Sequence, residues 1–264
     1  MEEIKVKNLQ IAFRRLGSGP PLVLLHGALS DSRVWRRQMD DLSNGFDVVA
    51  WDAPGCGHSS DPPEDFLLSD YADCLSLLIE KIGIQKPHIL GISFGAGLAL
   101  EFYQRYPDIP KTLILASAYA GWAGSLPPEE VKDRLQKGME QSKLPPEKVV
   151  QAWIPTLFSK SVSTEIINET KSMMADFHPV GMRAMLRSFA QADLRDVLPK
   201  IHVPTLLLYG DHDRRSPLSV AKTLHAQIPN SKLIIMPGVG HDSNQEDPET
   251  FNREVRHFLE SYQN

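Results

Sequence analysis

Short unbroken runs of apolar residues alternate along the chain with longer stretches in which apolar positions return every three or four residues. The runs fall at residues 22–25, 46–51, 87–92, 112–116, 205–209 and 232–236, and each is bounded by a glycine-rich or polar turn. Their brevity and lack of polar alternation predict strands covered on both faces. Helical spacing recurs at residues 71–82, 96–106, 217–228 and 248–262, and a weak alternation over 4–14 predicts a hairpin. Strands that alternate with helices imply βαβ units, so the expected class is α/β with a mostly parallel sheet. The rhythm breaks between residues 121 and 199, where no good strand occurs and helical patterns follow one another at 128–141, 146–157, 163–175 and 180–191. Pro127-Pro128 and Pro145-Pro146 punctuate this stretch, placing proline in first helical turns. We therefore expect a core domain made of residues 1-121 and 200-264, with residues 122-199 as an all-helical insert between two late strands. Lying over strand ends, such an insert would act as a lid.

Composition narrows the classes of function more than the fold. The 264 residues are 42% hydrophobic and 23% charged, with a net charge of -5 spread without a basic run. That balance argues against nucleic-acid binding and against a polybasic membrane surface. No apolar stretch reaches the ~18 residues of a membrane span. Met1-Glu2-Glu3-Ile4-Lys5 lacks the apolar segment of a secretion signal. With Cys56 and Cys74 as the only cysteines, a disulfide framework is not expected, and both read as buried thiols. These features predict a cytoplasmic protein. They say nothing about oligomeric state.

The chemistry begins at Gly91-Ile92-Ser93-Phe94-Gly95. A serine in the middle of G-x-S-x-G sits on a sharp strand-to-helix turn, and the glycines remove side chains that would clash there. Here the motif follows a predicted strand and opens a predicted helix, the context in which it presents a nucleophile. Serine needs a base, and the chain order nucleophile–acid–histidine calls for a late one. His241 follows the last strand, after Gly238 and Gly240, in a loop able to swing an imidazole over the sheet edge. The acid should follow the preceding strand, where Asp211 and Asp213 are both candidates and spacing does not choose between them. Two backbone N–H groups are needed for an oxyanion: those of Phe94, next to the nucleophile, and of Ala28, in the turn His26-Gly27-Ala28.

Together, His26-Gly27, Trp35, Asp52-Ala53-Pro54-Gly55-Cys56-Gly57-His58-Ser59, Gly91-x-Ser93-x-Gly95, Gly210-Asp211-His212-Asp213 and Gly240-His241 resemble the α/β-hydrolase superfamily. The resemblance runs from about residue 17 to 258. It is to the branch of small bacterial esterases, enol-lactonases, haloperoxidase-like enzymes and carbon–carbon bond hydrolases. It implies a Ser93–Asp213–His241 triad, with Asp213 favoured as the last Asp of the stretch ahead of Pro217. It implies no metal and no cofactor. Ser93 at the elbow differs from the aspartate of dehalogenase and epoxide-hydrolase relatives. Ala28-Leu29-Ser30-Asp31 and His241-Asp242 differ from the Gly-Pro-Gly insertion and the Trp common in carbon–carbon hydrolases. The expected activity is therefore hydrolysis of a small to medium carboxylic ester or lactone through an acyl-enzyme. Carbon–carbon cleavage on the same triad is an alternative, as is a small-molecule receptor with little turnover. The insert should line the acyl pocket, with Trp122, Trp153, Phe158, Met173, Met174 and Leu186 as candidates.

Overall fold

Each apolar run is a strand in the computed structural model, which describes residues 1–160 and 162–262; residues 263 and 264, expected to belong to the core, lie outside it. A hairpin comes first, β1 (Glu2–Val6) and β2 (Leu9–Gly17). The strands that follow are β3 (Pro21–Leu25), β4 (Asp47–Trp51), β5 (His88–Ile92), β6 (Thr112–Ala116), β7 (Thr205–Gly210) and β8 (Ser231–Met236). They form one eight-stranded sheet in the order β1-β2-β4-β3-β5-β6-β7-β8. β1 and β2 pair antiparallel, as do β2 and β4, and every other neighbouring pair is parallel.

Two apolar cores cover the sheet, because alternate residues of each buried strand face opposite ways. Val23, Val49, Ile89, Leu113 and Leu207 pack with Tyr71, Leu75, Leu98, Phe102 and Leu224. Those partners come from α2 (Leu68–Lys81), α3 (Phe94–Arg105) and α8 (Leu218–Gln227). On the other face Leu22, Leu24, Val48, Leu90 and Leu206 pack with Met39, Leu42, Phe251 and Val255. These belong to α1 (Arg36–Leu42) and α10 (Pro248–Glu260). Each such side chain contributes about 1.5–3 kcal/mol on burial, so the inner strands can dispense with polar residues.

Between β6 and β7 the chain forms α4 (Pro128–Gln141), α5 (Pro146–Leu157), α6 (Thr164–Ala175) and α7 (Pro179–Gln191), with no strand among the described residues. Proline stands in the first turn of α4, α5 and α7, where its missing N–H costs nothing. Surface ion pairs tie these helices to the sheet layer: Arg36 and Arg37 to Glu169 at 2.6 and 2.7 Å, Arg33 to Asp176 at 2.8 Å, and Arg183 to Glu64 at 2.7 Å. Closer still is the backbone contact of Gly181 in α7 with the Gly55 turn, where a Cβ on Gly181 would lie 1.9 Å from the Gly55 carbonyl oxygen. A short helix, α9 (Ser243–Glu246), follows the His241 loop. Cys56 and Cys74 are free and buried. No helix among the described residues is long and apolar enough to cross a membrane.

Candidate active site

The strand order reverses at β3: from there the chain moves outward to β4, then returns to β5 on the other side. Crevices open beyond the carboxyl ends of strands at such a switch point. Gly27-Ala28 follows β3 and Ser93 follows β5, so both meet there. Ser93 has φ 55° and ψ -114°, a backbone state costly for a residue with a Cβ. It persists because its surroundings leave no alternative. The Ser93 N–H donates to the Ala116 carbonyl at 2.9 Å. A Cβ on Gly91 would lie 2.2 Å from the Gly95 carbonyl oxygen, and one on Gly95 would lie 2.1 Å from that of Leu25. The two motif glycines are therefore required by the close approach of α3 to β3 and β5. Phe94 begins α3, so its N–H is one of the donors a helix leaves unpaired at its start.

His241 and Asp213 meet although 28 residues apart, with Nδ1 at 2.9 Å from Oδ2 and 3.0 Å from Oδ1. Both are buried. An imidazole nitrogen facing a carboxylate donates, which leaves the Nε2 lone pair free to accept a proton. Asp213 Oδ1 also accepts the N–H groups of Arg215 and Ser216, each at 2.8 Å. Burial alone would push the Asp213 carboxyl up. His241 and those two N–H groups overcome it and hold the carboxyl below the usual range. The His241 loop is fixed from below by Ser117, whose hydroxyl donates to the His241 carbonyl at 2.8 Å, and from the side by Glu246, which accepts the Gly240 N–H at 2.8 Å. Asp211, the other acid candidate, is exposed and accepts the Gly238 N–H at 2.6 Å.

The turn after β3 is pinned by His26. Its Nδ1 donates to the Gly27 carbonyl at 2.8 Å and its Nε2 accepts the Ala53 N–H at 3.0 Å. That pattern requires the neutral ring, and burial lowers its pKa accordingly. Asp52, fully buried, accepts N–H groups from Ser32 at 2.8 Å and His58 at 2.9 Å. The Asp52–Ser59 motif thus holds the loops flanking the crevice.

One cavity receives Ala28, Ser93, Phe94 and His241, with Gly27 beside them. Its walls include Trp122, Trp153, Met173, Met174 and Leu186, all candidates from the sequence. Phe158, also a candidate, is buried just past the end of α5, whose last residue Leu157 lines the cavity. Sequence reasoning also missed Tyr119, Arg134, Phe189, Arg215 and Asp242, which line it too. Tyr119 lies just past the end of β6, and Arg215 and Asp242 stand within two residues of Asp213 and His241. Position relative to strand ends was the available signal. The space open to water is about 40 Å³, far less than a substrate needs. Among the described residues no cluster of three or more His, Cys, Asp or Glu side chains is placed to hold a metal ion.

Burial raises the Asp242 carboxyl to about 6. The folded state therefore holds this proton more tightly than the unfolded chain does, and ionisation weakens the fold as pH rises through that value. Asp242→Asn is expected to add about 2 kcal/mol of stability near pH 8 and nothing near pH 3. Urea midpoints at the two pH values check this.

A crevice at the switch point, a strained serine elbow and a buried His–Asp pair define a hydrolase built on a parallel α/β sheet. Residues 22–254 match the sequence profile of the alpha/beta hydrolase family, and the chain belongs to it. A bifunctional esterase/perhydrolase from Acinetobacter calcoaceticus is 31% identical over 92% of each chain. A putative non-heme chloroperoxidase from Synechocystis is 29% identical, covering 96% of this chain and 95% of its own. A thermophilic esterase from Thermogutta terrifontis superimposes over 100% of both chains with a TM-score of 0.93 and 27% identity.

Proposed function

We propose that the protein hydrolyses carboxylic esters, open or cyclic, through an acyl-enzyme on Ser93. The observation that carries this reading is the single cavity shared by Ser93, Ala28, Phe94 and a His241 whose Nδ1 is held by Asp213. The Ser93 hydroxyl attacks the ester carbonyl carbon while His241 Nε2 takes its proton. Asp213 stabilises the imidazolium. The Ala28 and Phe94 N–H groups receive the oxyanion. As the tetrahedral intermediate collapses, the carbon–oxygen bond to the alcohol breaks and His241 returns the proton to the departing oxygen. Water then attacks the acyl-enzyme with His241 as base, freeing the acid and Ser93. Relatives that bear esterase names support ester cleavage.

Residues 122-199 act in this reading as a cap on the core of residues 1-121 and 200-264. About 40 Å³ is open to water inside, and in this reading α4–α7 shift to admit substrate. The exposed ion pairs that tie them down contribute about 0–1 kcal/mol each and can yield. Steady-state assay of a p-nitrophenyl ester series, acetate to decanoate, is expected to show turnover with a length optimum. A fluorophosphonate should label Ser93 stoichiometrically. An intact protein that neither turns over any ester nor takes the label would overturn the reading and favour a small-molecule receptor.

A further inference from the structure

A groove of about 370 Å³ lies against the outside of the cavity, bounded by α4, α5 and the loop after β7. Its charged lining residues are Arg134, Lys137, Arg214 and Arg215, and no acidic side chain among the described residues lines it. Four cations around one opening stand out on a chain of net charge -5. Trp122, Arg134, Trp153, Leu186 and Arg215 line both groove and cavity and so stand between them.

The two arginines of that wall differ. Arg134 is neutralised by Glu130 at 2.6 Å and donates to the Tyr119 hydroxyl at 3.0 Å and the Arg215 carbonyl at 3.1 Å. Arg215 has no carboxylate within ion-pair distance among the described residues. Its guanidinium stacks on Trp153, 4.1 Å from the ring centre, and one N–H donates to Thr156 Oγ1 at 3.0 Å. The remaining donors of the planar fork have no hydrogen-bond partner among the described residues. Burial works against this charge and lowers the pKa of Arg215. Asp213 and Asp242 favour the charge through space without an ion pair, and an anion delivered to the open donors adds a direct contact. Nearby Asp213 is committed to His241 and to two backbone N–H groups, and Asp242, whose carboxyl burial raises to about 6, makes no ion pair with Arg215 among the described residues.

We infer that the substrate is an ester or lactone bearing a free carboxylate, which enters along the basic groove and is held by the Arg215 guanidinium. This rests on the ester reading and specifies the substrate class of the same site. A carboxylate fits the fork with two parallel N–H···O bonds. A single negative charge matches a single cation, whereas a phosphate dianion would carry charge to spare. Lys137 and Arg214, exposed at the groove, act at longer range by raising the local concentration of anions.

The test compares monomethyl succinate, glutarate and adipate with neutral methyl esters of matching length, in a pH-stat, with wild type, Arg215→Gln and Arg215→Lys. Wild type should favour at least one half-ester in kcat/KM. Arg215→Gln should lower the half-ester to neutral-ester ratio at least about tenfold. Arg215→Lys should restore part of it, and salt should reduce wild-type kcat/KM for the half-ester alone. Calorimetry on Ser93→Ala, with and without Arg215→Gln, reads binding of the same half-esters without turnover. Ester turnover with no half-ester preference, or with a ratio that Arg215→Gln leaves unchanged, overturns the inference and leaves the ester reading standing. Arg215-dependent binding of half-esters without any turnover by wild type overturns the ester reading and the assignment of an ester substrate with it, leaving Arg215 as a carboxylate-binding group alone. Half-ester binding that ignores Arg215 overturns the inference under either reading.

Discussion

Ser93→Ala is expected to lower kcat for ester hydrolysis by about 10⁴-fold or more, with the fold intact. The hydroxyl is the atom that bonds to the acyl carbon, and neither His241 nor the N–H groups of Ala28 and Phe94 can replace that bond. What survives is the rate that oxyanion stabilisation and binding supply to attack by water. Stability should barely move. Alanine keeps the Cβ, so the strain of φ 55° remains, and Ser93 is only half-buried. Ser93→Gly separates strain from chemistry. It removes the same hydroxyl and also the Cβ that disfavours this backbone, so it should be equally inactive yet about 1–2 kcal/mol more stable than Ser93→Ala. Turnover numbers and urea midpoints of the two variants measure both. An alanine variant that retains wild-type kcat would remove Ser93 from the reaction.

That strain marks where sequence and tertiary structure divide the information. The inner strands were legible because burial on both faces leaves an unbroken apolar run, as in Thr112–Ala116, and the helices between β6 and β7 because apolar positions recur with helical spacing, with proline in the first turn of α4, α5 and α7. Helix α1 was not. Seven residues reading Arg-Arg-Gln-Met-Asp-Asp-Leu carry too few apolar positions for periodicity, and the helix stands because Met39 and Leu42 pack on the sheet. Arg134 and Arg215 were invisible to a reading that weights apolar residues, since only the meeting of α4 with the loop after β7 brings them to the cavity wall. Between Asp211 and Asp213 the sequence spacing was silent. The loop turns Asp213 inward to His241 and leaves Asp211 on the surface.

From that choice comes the second large effect: Asp213→Asn is expected to lower kcat/KM by about 10⁴-fold. Asp213 Oδ1 accepts two backbone N–H groups at 2.8 Å, so an asparagine keeps its carbonyl oxygen there and turns its NH₂ to the former Oδ2 position. That position lies 2.9 Å from His241 Nδ1, where two donors would then oppose each other. The imidazole relieves this by moving its proton to Nε2, which makes it unable to take the Ser93 proton. Asp211→Asn serves as the comparison and should stay within about threefold of wild type, since its carboxylate meets only the Gly238 N–H at the surface. Stability carries an independent sign. A carboxyl whose pKa is held down in the folded state contributes stability above its unfolded pKa, and that contribution disappears as pH falls through the folded value. Asp213→Asn should therefore cost stability near pH 7 and converge on wild type near pH 2, whereas a merely structural lesion would persist at both. If the asparagine variant kept wild-type kcat/KM across the pH range, His241 would not depend on Asp213 for its tautomer, and the acid would have to be sought elsewhere in the cavity, beginning with Asp242.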